Sequence, residues 1–392
     1  MTAAAAGRAR RPSWHPLSFR AGDPARAPTT CNTMIASPAR FSAAAALVAA
    51  FSCPLAAQTT VSIVADRDNT LYEDLAGGLS NGSGPSVFVG INGINMKLRT
   101  LLHFDVAGSV PAGARVIAAD LQLYVEQSAA FLPLAVGAHR IGRSWGEGAS
   151  VAGGPGLGNG GGGTAAAPGD ATWLHAFFPN TFWNTAGGDF APTASFSIEL
   201  PNLFGFQSAP LPGLVADVQD WLDNPAQNHG WLLKSDELVG PTARRLDSRE
   251  AAANRPTLHV TYLLPGDTGA WGVGCPVGTS TFALALGGSA TGGNTVSITY
   301  SSAPPLSIGA NFFSLALDPI GVPLFPSCTL YLPVTQEIIG GEAFLTDAGG
   351  NGATSLLVPA GFPGFLINCQ AAAFDATPLG ISLSNSGVML TQ

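Results

Sequence analysis

Four arginines, Arg244, Arg245, Arg249 and Arg255, stand in or just after the run RRLDSRE, with Asp247 and Glu250 between them and Asp236 and Glu237 just upstream. A guanidinium is a planar fork that meets a carboxylate with two parallel N–H···O bonds. Such a cluster either recognises an external acid, such as a uronic acid, or pairs internally. The closeness of acids and bases along the chain favours the internal option. Arg244, Arg245, Asp247, Arg249 and Glu250 are therefore expected to form a structural ion-pair network that ties Trp231–Lys234 to the last strand of the first domain.

A second set of residues suits sugar chemistry. Trp145, Trp173 and Trp183 flank a long glycine loop. An exposed indole offers a flat apolar face for stacking on a pyranose ring, whereas a buried one is simply core. Trp183 leads, because FFPNTFWN is an aromatic-rich segment. Lys97, Arg99, Arg140 and Arg143 are the cations that would select an acidic sugar. Asp66 and Asp68, with Glu73 and Asp74 nearby, supply hard oxygens of the kind Ca²⁺ takes in sets of six to eight. A D-x-D pair by itself reads more readily as solvated carboxylates at a strand end, so Ca²⁺ stays a secondary option and no other cofactor is expected.

Three patterns carry no chemistry. Gly156–Gly161 fits G-x-G-x-x-G but lies within AGGPGLGNGGGG, with neither a strand before it nor a helix after it. Gly142–Gly146 fits G-x-S-x-G, yet the chain lacks the strand–turn–helix rhythm of a nucleophile elbow. Asp217/Asp220 and Asp236/Glu237 are carboxylate pairs, as glycoside hydrolysis requires. The first pair lies three residues apart on a short helix, where exposed acids are ordinary. No enzyme is expected.

The elements that must position these residues are strands. Apolar and polar residues alternate in ADLQLYV, SFSIEL and TLHVTYL, with Leu121/Leu123/Val125, Phe196/Ile198/Leu200 and Leu258/Val260/Tyr262 on one face. In LRTLLHF, Leu98, Leu102 and Phe104 share one face and Leu101 takes the other. One helix is expected in LVADVQDWLDNP, where Leu214, Val218, Trp221 and Leu222 fall at i, i+4, i+7 and i+8 between Pro212-Gly213 and Pro225. Beyond residue 276 the alternation resumes at Phe282/Leu284/Leu286, Val296/Ile298/Tyr300 and Phe313/Leu315/Leu317, then near Cys328–Val334, Ser355–Val358 and Ile381–Leu383. The fold class is all-β, and the second half reads as a small β-sandwich.

Composition sets the organisation. Of 392 residues 49 are Gly and 30 Pro, and charged residues make up only 11%. From Met34, MIASPARFSAAAALVAAFSCPLAAQ has a basic residue, a short apolar core and a small-residue exit, the pattern of a signal peptide with cleavage near Ala57–Gln58. The expected organisation is 1–33 untranslated or lost, 34–57 leader, 58–264 first domain, 265–275 linker and 276–392 second domain. From Gln58 onward 11 Lys and Arg face 24 Asp and Glu, which disfavours nucleic acid. No Lys or Arg follows Arg255. No later apolar run is long enough to span a bilayer. Export permits a disulfide among Cys275, Cys328 and Cys369. The pairing expected is Cys275–Cys328 with Cys369 buried, although spacing does not fix it.

The ordered motifs ADRDNTLYED, LSNGSGPSVFVG, RTLLHFDV, VPAGARVIAADLQLYV, WGEG, GDATWLH, GGDF, VADVQDWLDNP, GWLLKSDE and TARRLDSRE…RPTLHVTY together resemble the DNRLRE domain family, which is also grouped as a carbohydrate-binding module. The resemblance covers roughly Val61 to Tyr262. It implies a jelly-roll β-sandwich in a secreted or cell-surface protein, with polysaccharide contact in some members. The final module is similar, more weakly, to C-terminal β-modules of exported bacterial proteins. The expectation is an exported, non-catalytic polysaccharide-binding protein of the cell surface or matrix. A structural or adhesive surface protein with no sugar ligand is the first alternative, and a polysaccharide-degrading enzyme the second.

Overall fold

The computed structural model describes residues 58–153, 159–207, 212–325, 327–375 and 380–392. The expected leader and the residues before it lie outside these, as do residues 154–158 of the glycine loop. The fold is all-β, with antiparallel strand pairing throughout.

The first half is built on one curled eleven-stranded sheet, nine strands of which form its path, while Arg67–Tyr72 pairs with Lys97–His103 and Gly205–Gln207 with Arg115–Ser128 off that path. Its path runs from Thr59–Val64 through Thr257–Leu263, Arg115–Ser128, Arg244–Asp247 and Ser86–Ile91. It continues through Lys97–His103, Trp231–Lys234 and Leu134–Arg140 to Phe196–Leu200. Ser86–Ile91 and Lys97–His103 meet only at Gly90↔Leu98 and Ile91↔Lys97. Gly90 holds φ +109°, which disfavours an L side chain. The two halves of the sheet thus face each other across a core of Val87, Val89, Leu121, Leu123, Val136, Ile198, Leu233, Leu246 and Val260. Burial alternates strictly along Phe196–Leu200, as the sequence pattern requires.

The helix Pro212–Asp223 closes one side of this core. Leu214, Val218, Trp221 and Leu222 are all buried in it, and the Trp221 and Trp231 ring centroids lie 4.4 Å apart. Full burial of a side chain of this kind contributes roughly 1.5–3 kcal/mol.

Two strands, Arg67–Tyr72 and Lys97–His103, are buried on both faces. Their outer face carries Leu71 and Leu101, joined there by Leu232. Three leucines on the solvent side of a sheet need a cover. The segment from Ile141 to Phe190 supplies it, with Trp145, Trp173 and Trp183 turned inward.

The second half contains a five-stranded sheet in the order Thr268–Trp271, Ile381–Leu390, Leu366–Phe374, Ile308–Ser314, Ile339–Leu345. A three-stranded sheet of Ala283–Gly287, Thr295–Ser301 and Gly352–Leu357 accompanies it. Both sheets contribute to a core of Phe282, Leu284, Val296, Ile298, Tyr300, Phe344, Ala371 and Met389, in which Tyr300 and Phe344 stack at 3.9 Å. Cys275 and Cys328 are joined in a disulfide, and Cys369 is a buried free thiol.

Two expectations need correction. Residues 265–275 are not merely a linker, because Thr268–Trp271 pairs with Ile381–Leu390 as an edge strand. Its glycines hid that strand from an alternation count, and the close approach of Gln58, whose Oε1 accepts from Ala270 N at 2.9 Å, exploits the bare Gly269. The strand placed on Phe313, Leu315 and Leu317 instead spans Ile308–Ser314 and buries Gly309, Asn311 and Ser314, leaving Leu315 exposed. Asn311 is satisfied in this buried place by accepting from Tyr300 Oη at 2.8 Å. Among the described residues strand pairing does not cross between the halves, but Ile117 and Leu263 of the first share an apolar cluster with Leu366, Val388 and Leu390 of the second.

Candidate functional site

The tryptophans do not form a stacking platform. Trp145 is fully buried and Trp173 and Trp183 nearly so. Their polar edges are spent internally: Trp145 Nε1 donates to His229 O at 2.8 Å and Trp183 Nε1 to Thr172 O at 2.9 Å. Trp183 is the core residue of FFPNTFWN, and its neighbour Phe182 is the exposed one. The physical reason is the doubly buried sheet beneath, whose outer leucines recruit the largest apolar side chains available.

The four candidate cations are likewise engaged. Arg99 grips Glu237 with Nε and Nη2 at 2.6 and 2.8 Å and donates Nη1 to Gly187 O, with its guanidinium 4.5 Å over the Trp173 ring. Lys97 Nζ meets Glu73 at 2.7 Å. Arg140 lies between Asp220, at 2.5 Å, and Asp217, at 3.7 Å. Arg143 is the loosest, 3.8 Å from Asp189 and 3.2 Å from Phe182 O. Asp217 is not the exposed helical acid its spacing implied. It is buried and accepts from Trp231 Nε1 at 2.7 Å, and burial raises its carboxyl above the ordinary range.

The arginine cluster divides three ways. Arg244 belongs to no ion pair among the described residues. Its fully buried guanidinium donates to the carbonyls of Pro201, Thr242 and Leu132. Arg245 forks onto Glu126 across the neighbouring strand, not onto Asp247. Burial raises the Asp247 carboxyl. Arg249 alone meets an acid of the expected set, with Nε 2.9 Å from Glu250, and it also forks onto Glu147 at 2.5 and 2.8 Å. Sequence proximity misled because neighbours along a strand point to opposite faces.

Of the two proposed metal ligands, Asp66 is already used: its Oδ1 lies 2.5 Å from His103 Nδ1. Asp68 is fully buried and groups instead with Glu147 and Glu250, one oxygen from each lying within 4.8 Å of the others. No spacing in the sequence joins positions 68, 147 and 250.

An open cleft lies elsewhere, over strands Leu134–Arg140, Phe196–Leu200 and Trp231–Lys234, with a volume of about 770 Å³. In register, Gly137 sits between Lys234 on one side and Ser197 on the other. Having no side chain, Gly137 leaves a trough between an ammonium and a hydroxyl. His139 borders it. Its Nδ1 lies 2.9 Å from Ala191 O and must therefore carry the proton, which leaves Nε2 as an acceptor toward Gly137. Burial lowers the His139 pKa, so the ring is neutral at pH 7. Asp236 lies at the rim. Lys234 Nζ is 3.8 Å from Glu237, but both Glu237 oxygens already accept from Arg99, so much of the ammonium's charge is left for the cleft. The walls are apolar: Phe131 is 94% exposed, and Leu132 and Val239 also stand open. Arg244 fixes both walls through the Leu132 and Thr242 carbonyls. The only sequence sign of this site is the pair Phe131-Leu132, two large apolar residues just before Pro133 and outside any alternating run.

The Gly142–Gly146 pattern leads into an irregular segment with Ser144 exposed and no helix following. Among the described residues no helix is long and apolar enough to cross a membrane. No family model matches the chain, and no curated protein matches it.

Proposed function

We propose that this chain is an exported, non-catalytic protein that holds a polysaccharide in the cleft over Gly137, at the cell surface or in the matrix. The observation that carries the reading is the row Lys234–Gly137–Ser197 in a cleft that an exposed Phe131 also lines. A sugar ring is flat and apolar on its faces and rich in hydroxyls at its edge. An exposed phenyl serves the face, and an ammonium, a hydroxyl and an imidazole nitrogen serve the edge. The ammonium favours a carboxylate-bearing sugar. The resemblance of the first half to the DNRLRE family supports the same reading, as does the leader-like segment.

The absence of chemistry in the reading rests on geometry. Asp217 and Asp220 converge on a single arginine instead of opposing one another across a cleft, so neither is placed as an acid or base for a glycosidic bond.

Affinity electrophoresis of the whole chain through alginate, pectin, cellulose and chitin gels tests the proposal. Retardation by an acidic glycan is expected. Lys234→Ala should weaken it tenfold or more, about the contribution of one charge-assisted hydrogen bond, and Phe131→Ala should weaken it comparably. Unaltered migration in every gel would leave a structural or adhesive role. That second reading draws on the apolar cleft of about 510 Å³ in the second half, lined by Ile308, Phe312, Leu324, Ile338 and Phe374.

A further inference from the structure

We infer that Asp68, Glu147 and Glu250 form a binding site for a divalent oxygen-seeking cation of the Ca²⁺ class. The inference is independent of the glycan cleft. It starts from two oxygens. Asp68 Oδ1 and Glu250 Oε2 are buried and have no hydrogen-bond partner among the described residues, and Asp68 as a whole is inaccessible to solvent. An orphaned carboxylate oxygen in such a place is costly, and native structures rarely keep one without a reason.

The other oxygens of the group are accounted for. Asp68 Oδ2 accepts from Arg249 N at 2.6 Å. Glu147 Oε1 accepts from Asp68 N at 2.9 Å and from Arg249 Nε at 2.5 Å, and Oε2 from Arg249 Nη2 at 2.8 Å. Glu250 Oε1 lies 2.9 Å from Arg249 Nε. The hydrogen bonds therefore hold the three carboxylates in place and leave one oxygen each on Asp68 and Glu250 unserved.

The charges do not balance. Three carboxylates face one guanidinium, leaving a deficit of two positive charges. Arg67, the other cation nearby, is directed to the Trp145 carbonyl at 3.0 Å and toward Asp66 at 4.0 Å, and Asp66 is shared with His103. One divalent ion would restore neutrality. Burial, and then the charges of Glu250 and Glu147, push the Asp68 carboxyl well above its ordinary range. Burial and Glu147 likewise raise Glu250. Hard carboxylate oxygens with irregular placement suit Ca²⁺, which accepts variable geometry and completes its shell with water, better than Mg²⁺, which demands an octahedron. Glu250 retains some exposure, which gives an ion a route in.

The test uses the whole chain with metal alone. Chelator-treated protein is titrated with CaCl₂ and followed by thermal melt and calorimetry, then with TbCl₃ and followed by tryptophan-sensitised luminescence, for which Trp145 stands two residues from Glu147. The expected result is a rise in Tm of about 5 °C at saturating Ca²⁺, with a terbium signal that Ca²⁺ displaces. Glu250→Gln should weaken Ca²⁺ binding at least tenfold. Asp68→Asn serves as the second variant should the first fail to fold. A melt that Ca²⁺, Mg²⁺ and Mn²⁺ all leave unmoved, with no terbium signal, overturns the inference. So does a melt that rises only on acidification, since Asp68 and Glu250 would then share a proton and no metal. A Glu250→Gln protein that responds like the parent places the ion elsewhere and overturns the assignment too.

Discussion

Arg244 shows how a single residue in this protein can be structural without being paired. Its guanidinium is fully buried, and its hydrogen-bond partners among the described residues are carbonyl oxygens, those of Pro201, Thr242 and Leu132. Five donors in a rigid plane can reach three separate chain segments at once, and an ammonium cannot. Arg244→Lys is therefore expected to cost about 3 kcal/mol in urea unfolding, because carbonyls are orphaned while the charge stays buried. Arg143→Ala is the contrast. Its partner Asp189 is 3.8 Å away and the pair is partly solvated, so a change below about 1 kcal/mol is expected. Equal losses for the two would mean that Arg244 is not the tie it looks to be. The same residue scale shows the limit of spacing. Arg, Asp and Glu close together in RRLDSRE announce ion pairs, and Arg249 does meet Glu250, but the carboxylates that Arg245 and Arg249 fork onto, Glu126 and Glu147, come from elsewhere in the chain.

At the scale of elements, the second half is fastened by one covalent link as well as by its sheets. The Cys275–Cys328 bond closes a loop of 53 residues and ties the segment after Thr268–Trp271 to Cys328–Leu330. Reduction should lower stability by about 2–4 kcal/mol, measured as a shift in the denaturation midpoint with and without reductant. Cys369 should resist alkylation in the native chain, since its thiol is buried and desolvation raises its pKa to about 12. Peptide mapping that found Cys369 modified before unfolding would contradict that picture. Elements also explain the tryptophans. A strand whose apolar residues occupy both faces, as Leu98, Leu101 and Leu102 do, cannot be half exposed, and the loops rich in Trp are what cover it.

At the largest scale, the two described halves are joined by packing, with no strand pairing between them among the described residues. Ile117 and Leu263 from the first half meet Leu366, Val388 and Leu390 from the second, with Trp271 alongside. Gln58, at the beginning of the described chain, reaches Ala270 of the second sheet. Both contacts couple the halves, so scanning calorimetry is expected to show one unfolding transition. Ile117→Asp, which buries an unpartnered carboxyl, should split it in two. Two independent transitions in the parent chain would show that the apolar junction does not transmit stability. Cutting the chain at 264 would bare that junction, which is why the glycan and metal tests use the whole chain.

Alternation of apolar and polar side chains determined the all-β class, most strand positions and the single amphipathic helix, because a period of two or of 3.6 residues is a local property of the chain. Which aromatic faces outward, which acid meets which arginine, and that Lys234, Gly137 and Ser197 line up in one row depend on register between strands far apart in sequence. The convergence of Asp68, Glu147 and Glu250 has the same origin. Those contacts arise only when the sheet curls and its outer leucines are covered, and no local pattern records a closure of that kind.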